Sequence, residues 1–192
     1  EKEGGVIVAS TGNFGQGIAY AAGCFGLQAH VVVPAQSNPL KIDSMRRLGA
    51  TVISHGADFD DARLYAEHLA QSRGYRYVHS ANEPGLISGA GTYALEIFED
   101  LPKVDEIIVP IGGGSGACGT CIVAKSLDSR VRVIGVQSES APGAYLSWKS
   151  GDIVHCSMES IAEGLATGSG YEHTQEILRE MLDDFILVSD IE

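Results

Sequence analysis

Basic residues are scarce in this chain: 13 Lys and Arg stand against 25 Asp and Glu, a formal net charge of −12 over 192 residues. Such a surface repels phosphodiester backbone and anionic lipid, so neither nucleic acid nor a membrane surface is expected as a partner. A small anionic ligand stays open, because backbone N–H groups can hold it without side-chain charge. Cysteine is sparse too. Cys24, Cys118, Cys121 and Cys156 do not make a disulfide framework, and a reducing cytoplasm is the expected setting. Apolar runs extend only a few residues, against the roughly 20 needed to span a bilayer, so no transmembrane helix is expected. The opening residues lack the pattern of a secretory signal peptide. The first residue is Glu1, not Met, and the start of the translated protein is expected to lie elsewhere.

What is present suits a folded chain. Hydrophobic residues make up 44% and charged residues 20%, which excludes disorder and supplies a core without metal or disulfide staples. Glycine stands at 24 of 192 residues, well above the average of about 7%. The excess collects at turns and helix starts, as expected where backbone approaches a ligand.

Apolar runs alternate with helical periodicity along the chain. Val6 to Ala9 reads as a strand, followed by a helix with Phe14, Ile18, Ala21, Ala22 and Phe25 on one face and Gly26 at its end. Ala29 to Val33 and Thr51 to Ser54 are further strands, separated by a helix from Pro39 to Leu48 that Gly49 closes. Asp58 is placed to cap a helix with Phe59, Ala62, Tyr65, Ala66 and Leu69 on one side, and Tyr75 to His79 is a fourth strand candidate. The second half predicts one helical stripe through Ile87, Ala90, Ala94, Ile97, Phe98 and Leu101. Strands at 106–109, 131–136 and 185–188 follow, with helices at 117–127, 142–149 and 172–182 between them. Strand–helix alternation predicts an α/β fold of parallel sheets with helices on both faces. Two units are expected, 1–85 and 86–192.

Val109-Pro110-Ile111-Gly112-Gly113-Gly114-Ser115-Gly116 is the strongest chemical signal. A strand, a glycine turn and a helix start aim several N–H groups at one point, where the helix dipole also favours an anion, and phosphate is the natural ligand. No Lys follows the glycines, so GxxxxGK[ST] does not fit and nucleotide-binding fingerprints are disfavoured. A tight βα turn that binds nothing is the plainer alternative. Ser10-Thr11-Gly12-Asn13 forms a second such turn, at the carboxyl end of the first strand, where open α/β folds bind ligands. Its plainer alternative is a helix cap by Thr11 or Asn13.

Five segments carry a resemblance: ASTGNFGQGIAYAA (9–22), VVVPAQSNPLKIDSMRRLGA (31–50), HGADFDDA (55–62), GAGTYALEI (89–97) and VPIGGGSGACG (109–119). Their order over essentially the whole chain resembles the fold-type-II pyridoxal-phosphate enzymes, the tryptophan synthase beta-like superfamily, and within it the threonine/serine dehydratases. The resemblance implies pyridoxal 5′-phosphate as cofactor. It assigns Gly112, Gly113, Gly114, Ser115 and Gly116 to the phosphate and Asn13 to the ring hydroxyl, with Ser10, Thr11 and Gly12 receiving the substrate carboxylate. It also implies β-elimination of L-threonine or L-serine to a 2-oxo acid and ammonia, with the pyridine ring as electron sink, and a homo-oligomer, expected as a dimer.

The chain also departs from that pattern. The family's Schiff-base lysine lies upstream of the Ser-x-Gly-Asn turn in a context missing here. Lys2, Lys41, Lys103, Lys125 and Lys149 do not replace it, so no catalytic residue is assigned. The family's partner for the pyridine nitrogen lies in a later strand. The sequence therefore reads as the middle of such an enzyme, inactive by itself. Some family members hold a divalent metal after the strand beyond the glycine loop. Gln137 and Gly143 stand at the two carboxylate positions with Ala141 between, so no metal is expected, and Glu139 would serve only in a shifted register.

Other features have milder readings. Cys118-x-x-Cys121 has redox or zinc spacing, but packing inside a helix is favoured. His55, His79 and His173 are scattered, and Asp58-Phe59-Asp60-Asp61 suits a helix start. Glu163-Gly164 resembles the family's acidic-Gly pair lining the active-site mouth. Tyr145, Leu146 and Trp148 are read as helix packing. Two rivals remain: a β-replacement enzyme of the cysteine or threonine synthase kind, and a non-catalytic remnant that binds phosphate or a partner subunit.

Overall fold

The computed structural model describes residues 4–191. Their contacts form two compact units that divide between Ser80 and Ala81, five residues before the division read from the sequence.

In the first unit the strands are β1 (Val6–Ala9), β2 (Ala29–Val33), β3 (Thr51–Ser54) and β4 (Arg76–Tyr77), and the helices α1 (Asn13–Cys24), α2 (Pro39–Arg47) and α3 (Phe59–Arg73). All pairs are parallel, in the order β3-β2-β1-β4. Period-2 alternation splits the sheet between two cores. Val8, Val31 and Val33 meet Ala19 and Ala22 of α1 and Met45 of α2, while Ile7, Ala9 and Val32 meet Ala62, Ala66 and Leu69 of α3. The chain steps outward from β1 to β3 and then returns past β1 to β4. The carboxyl end of β1 therefore lies at a topological switch point, where α/β sheets open a crevice.

Helix α1 turns inward part of the face its periodicity predicts, with Ala22 buried and Phe14 and Ile18 packed against the same core. Gly15, Ala19 and Ala22 are buried, whereas Ala21 is exposed and Phe25, the residue after the helix, is 77% exposed. Small residues let α1 approach the sheet closely. A Cβ on Gly15 would stand 3.0 Å from Val31 Cγ1 and 3.1 Å from Met45 Sδ.

The second unit contains α4 (Pro84–Ala90), α5 (Thr92–Asp100), β5 (Glu106–Pro110), α6 (Ser115–Leu127), β6 (Arg132–Ser138), α7 (Gly143–Ser150), α8 (Glu172–Met181) and β7 (Asp184–Val188). Its parallel sheet has the order β5-β6-β7. Ile107, Val109, Val133 and Phe185 share one core with Ile87 of α4, Cys121 of α6, Ala144 of α7 and Leu178 of α8, so these helices all cover one face. On the other face Ile108 and Ile186 are exposed.

The single helical stripe expected from Ile87 to Leu101 is two helices that part at Gly91. Gly91 is buried against α6, where a Cβ on Gly119 would stand 2.5 Å from the Gly91 nitrogen. Leu101 is 62% exposed rather than part of the stripe.

Candidate active site

In the first unit β1 runs directly into the Ser10–Asn13 turn. The Ser10 N–H continues the ladder to Val32 O at 3.0 Å. Its buried hydroxyl oxygen accepts from the N–H of Gly12 at 3.2 Å and of Gly15 at 2.9 Å. Ser10, rather than Thr11 or Asn13, thus caps the start of α1 from the end of the strand. Among the described residues no hydrogen bond leaves the N–H groups of Thr11, Asn13 and Phe14. The Asn13 side chain is exposed, and its Oδ1 accepts only a long bond, 3.5 Å, from Gln16 Nε2.

The sequence reading set Lys41 aside, but the structure brings it to this turn. Its ammonium nitrogen lies 3.7 Å from where a Cβ on Gly12 would stand. Lys103 lines an open cavity of about 630 Å³ with Phe98, Leu127 and Arg130. Lys125 donates to Asp183 Oδ2 at 2.6 Å and Val131 O at 2.8 Å, and Lys149 donates to the Tyr145 hydroxyl at 3.1 Å. Lys2 lies outside the described residues.

In the second unit β5 ends in the Gly112–Gly116 loop, which opens α6. Ile111 makes the last ladder bond, N–H to Val136 O at 2.8 Å. Beyond it, among the described residues, no hydrogen bond leaves the N–H of Gly112, Gly113, Gly114, Ser115, Gly116 or Ala117. The carbonyls are held instead. Thr167 Oγ1 donates to Gly112 O at 3.3 Å and Thr174 Oγ1 to Gly113 O at 2.9 Å. Thr120 Oγ1 and the Tyr93 hydroxyl each donate to Gly116 O at 3.0 Å, and these two hydroxyls also touch each other.

Gly114 has φ +96°, a left-handed conformation that costs an L side chain energy. A Cβ on Gly112 would meet Leu165 Cα at 2.9 Å, and one on Gly113 would meet Ala81 Cβ at 3.1 Å. The glycines are therefore required by close neighbours as well as by the turn. A run of unpaired N–H groups at the start of a 13-residue helix has the chemistry to fit a phosphate dianion. The sequence reading found this loop but missed its buttresses, Thr167 and Thr174, which lie 55 and 61 residues away.

The milder candidates settle into packing and caps. Cys118 and Cys121 are buried in α6, and burial pushes both thiols up to about 12, the wrong direction for a redox or metal-binding pair. Asp58 Oδ1 accepts from the Asp61 N–H at 2.9 Å while Asp61 Oδ2 accepts from the Ala57 N–H at 2.9 Å, a reciprocal cap on α3. The His55 ring stacks on Tyr65, with centroids 3.7 Å apart, and His79 meets Tyr77 edge-on. His173 lies 3.7 Å from Glu176. Tyr145 and Trp148 pack edgewise on Phe185. Glu163 and Gly164 are exposed, on the loop that brings Leu165 to Gly112.

At the metal position that the resemblance implies, the structure places Gln137 and Gly143 among close neighbours. Gln137 Oε1 already accepts from the Tyr145 N–H at 2.9 Å, and a Cβ on Gly143 would stand 2.7 Å from the Ser169 nitrogen. Glu139 is exposed, and its own N–H is held by Val188 O.

Residues 1–192 match the family described as pyridoxal-phosphate dependent enzyme, and the chain belongs to that family. It is 38% identical, over its whole length and 48% of the relative's, to the L-threonine ammonia-lyase of Thermotoga maritima. The processed form of threonine deaminase isoform 2 from Solanum lycopersicum superposes with a TM-score of 0.91 at 32% identity, covering 98% of this chain and 55% of that one. Serine racemase from Dictyostelium discoideum superposes with a TM-score of 0.88 at 33% identity, covering 99% and 61%. The chain spans about half the length of the curated relatives it matches. No helix among the described residues is long and apolar enough to cross a membrane.

Proposed function

We propose that the protein to which this chain belongs eliminates water from L-threonine or L-serine, giving a 2-oxo acid and ammonia, with pyridoxal 5′-phosphate as cofactor. The observation that carries the reading is the run of unpaired N–H groups from Gly112 to Ala117. Likeness to a relative named for threonine ammonia-lyase chooses among the reactions such a cradle can serve. When bound, the cofactor supplies an electron sink for charge developing at the substrate α-carbon.

This chain's residues would then divide the work. Gly112, Gly113, Gly114, Ser115 and Gly116 hold the phosphate through backbone N–H groups at the start of α6. Asn13, whose amide has no close partner beyond Gln16, bonds the ring hydroxyl. Ser10, Thr11 and Gly12 form the turn for the substrate carboxylate. Ser10 shapes it through its cap bonds, and the Thr11 N–H is available to donate. Lys41 adds positive charge beside the turn.

A reducing, cytoplasmic setting is supported by four free cysteines, two of them buried. A homodimer is the proposed assembly, and equilibrium sedimentation of the full-length protein tests it. The activity is tested by incubating that protein and its Asn13→Ala variant with L-threonine, L-serine and O-acetylserine. Release of 2-oxobutyrate from threonine, reduced at least about tenfold in the variant, is expected. With an added thiol, replacement of the acetyl group of O-acetylserine to give a thioether and acetate, without 2-oxo acid, would instead identify a β-replacement enzyme.

A further inference from the structure

The end of β7 presents a carboxylate that the proposed chemistry does not use. Asp190 Oδ1 accepts from the hydroxyls of Ser138 at 2.5 Å and Ser160 at 2.9 Å, and Oδ2 accepts from the Ile161 N–H at 2.9 Å. Its donors come from two separate stretches of chain, one closing β6 and one entering the 160–167 loop. These bonds favour the ionised form and hold the Asp190 carboxyl below its ordinary range, the Ser138 hydroxyl contributing most.

From Asp190 the contacts lead to the glycine cradle without a gap. Ser160 Oγ, held by Asp190, accepts in turn from the Ala162 N–H at 3.1 Å. Ala162 O then closes a turn by accepting from the N–H of Leu165 at 2.8 Å and of Ala166 at 3.1 Å. That turn sets Leu165 against Gly112, its Cα 2.9 Å from where a Cβ would stand, and Thr167 Oγ1 bonds Gly112 O at 3.3 Å. The opposite side is braced as well. Ser138 Oγ accepts from the Ser140 N–H at 3.0 Å, and Ser140 O accepts from the Glu159 N–H at 3.1 Å.

We propose that Asp190 is a positioning residue for the phosphate cradle, a latch that seats the 160–167 loop against Gly112 and so fixes the direction of the loop N–H groups. The inference rests on the cofactor reading above and goes beyond it, because Asp190 has no contact with the cradle itself. Its carboxylate gathers three donors, two of them at the start of that loop and one at the end of β6. An asparagine there offers one acceptor oxygen and presents an N–H₂ group to the remaining donors, so the latch loses its grip with almost no change in volume.

The test uses the 192-residue chain, its Asp190→Asn variant, and a Ser138→Ala/Ser160→Ala double variant that leaves the carboxylate in place. Each is titrated with pyridoxal 5′-phosphate and with inorganic phosphate, following the glycine amide resonances of residues 112–116. Hydrogen exchange at Ile161 and Ala162 and the melting temperature are measured alongside. For Asp190→Asn the expected result is about tenfold weaker binding of both anions, as for loss of hydrogen bonds to a charged group. Ile161 exchange should accelerate and the Gly112–Gly116 amides should shift before any ligand is added, with the variant still fully folded at the titration temperature. The double variant should change in the same sense.

Faster Ile161 exchange with unchanged affinity would overturn the proposal, as would a melting-temperature loss large enough to account for the weaker binding. If the parent chain binds neither anion, the cofactor reading fails at this loop. The latch is then decided by the free-protein spectra: displaced Gly112–Gly116 amides support it, and superimposable ones refute it. Should Asp190→Asn fail to fold, the double variant is judged by the same criteria.

Discussion

Replacing Gly119 by alanine sets helix propensity against tertiary contact, and the structure says which wins. In an exposed helix interior Gly→Ala stabilises by roughly 0.5–1 kcal/mol. Gly89 in α4 is such a site, exposed and with nothing within 4 Å of where a Cβ would stand. At Gly119 the same methyl would lie 2.5 Å from Gly91 N, 2.8 Å from Gly91 Cα and 2.8 Å from Ile87 O. All three are backbone atoms, so no side-chain rotation relieves the overlap, and α4 and α6 must separate by several tenths of an ångström or more. Overpacking of this kind costs about 1–3 kcal/mol, and rigid backbone neighbours place it at the upper end. Subtracting about 1 kcal/mol of helix gain leaves a net loss of about 2 kcal/mol. For a chain of this size that is roughly 4–8 °C in melting temperature. Guanidinium unfolding followed by the fluorescence of Trp148, the only tryptophan and part of the same unit, provides the assay. Gly119→Ala should unfold at lower denaturant and Gly89→Ala at equal or higher denaturant. A Gly119→Ala chain as stable as the parent would refute the close-approach argument.

Other expected outcomes follow from single interactions. Asp58→Ala removes the cap on the Asp61 N–H and should cost about 1 kcal/mol, read as a lower melting point by circular dichroism, with Asp58→Asn nearly neutral. Burial, with Arg73 contributing, lowers the pKa of His30 below its ordinary 6.5. The folded state then binds fewer protons than the unfolded chain. The stability is fully present above 6.5 and is lost as pH falls from there through the lowered folded value. His30→Gln should flatten that part of the stability–pH curve, and parallel curves for the two proteins would count against the assignment. Iodoacetamide at pH 8 should label exposed Cys24 first. Cys118 and Cys121, buried and with thiols pushed to about 12, should react only in denaturant, as peptide mass spectrometry would show.

The amino-acid sequence by itself determined the elements whose signals are local. Ala29–Val33 and Thr51–Ser54 form strands with the predicted bounds, because apolar runs bracketed by Gly, Pro and polar turns have few other conformations. The Asp58 cap and the glycine loop at the start of α6 were legible for the same reason, as their chemistry lies within a few residues of chain. The tertiary structure decided whatever depends on distant neighbours. Periodicity placed Ala21 and Phe25 on the buried side of α1, but the sheet accepts the narrower face of Gly15, Ala19 and Ala22. The stripe from Ile87 to Leu101 is parted at Gly91, which packs against α6 so closely that a Cβ on Gly119 would stand 2.5 Å from the Gly91 nitrogen. Thr167 and Thr174, which fasten the cradle's carbonyls, and Asp190, which gathers donors from residues 138, 160 and 161, carry no local pattern. Their meaning comes from parallel strands that carry residues dozens of positions apart to the same end of one sheet.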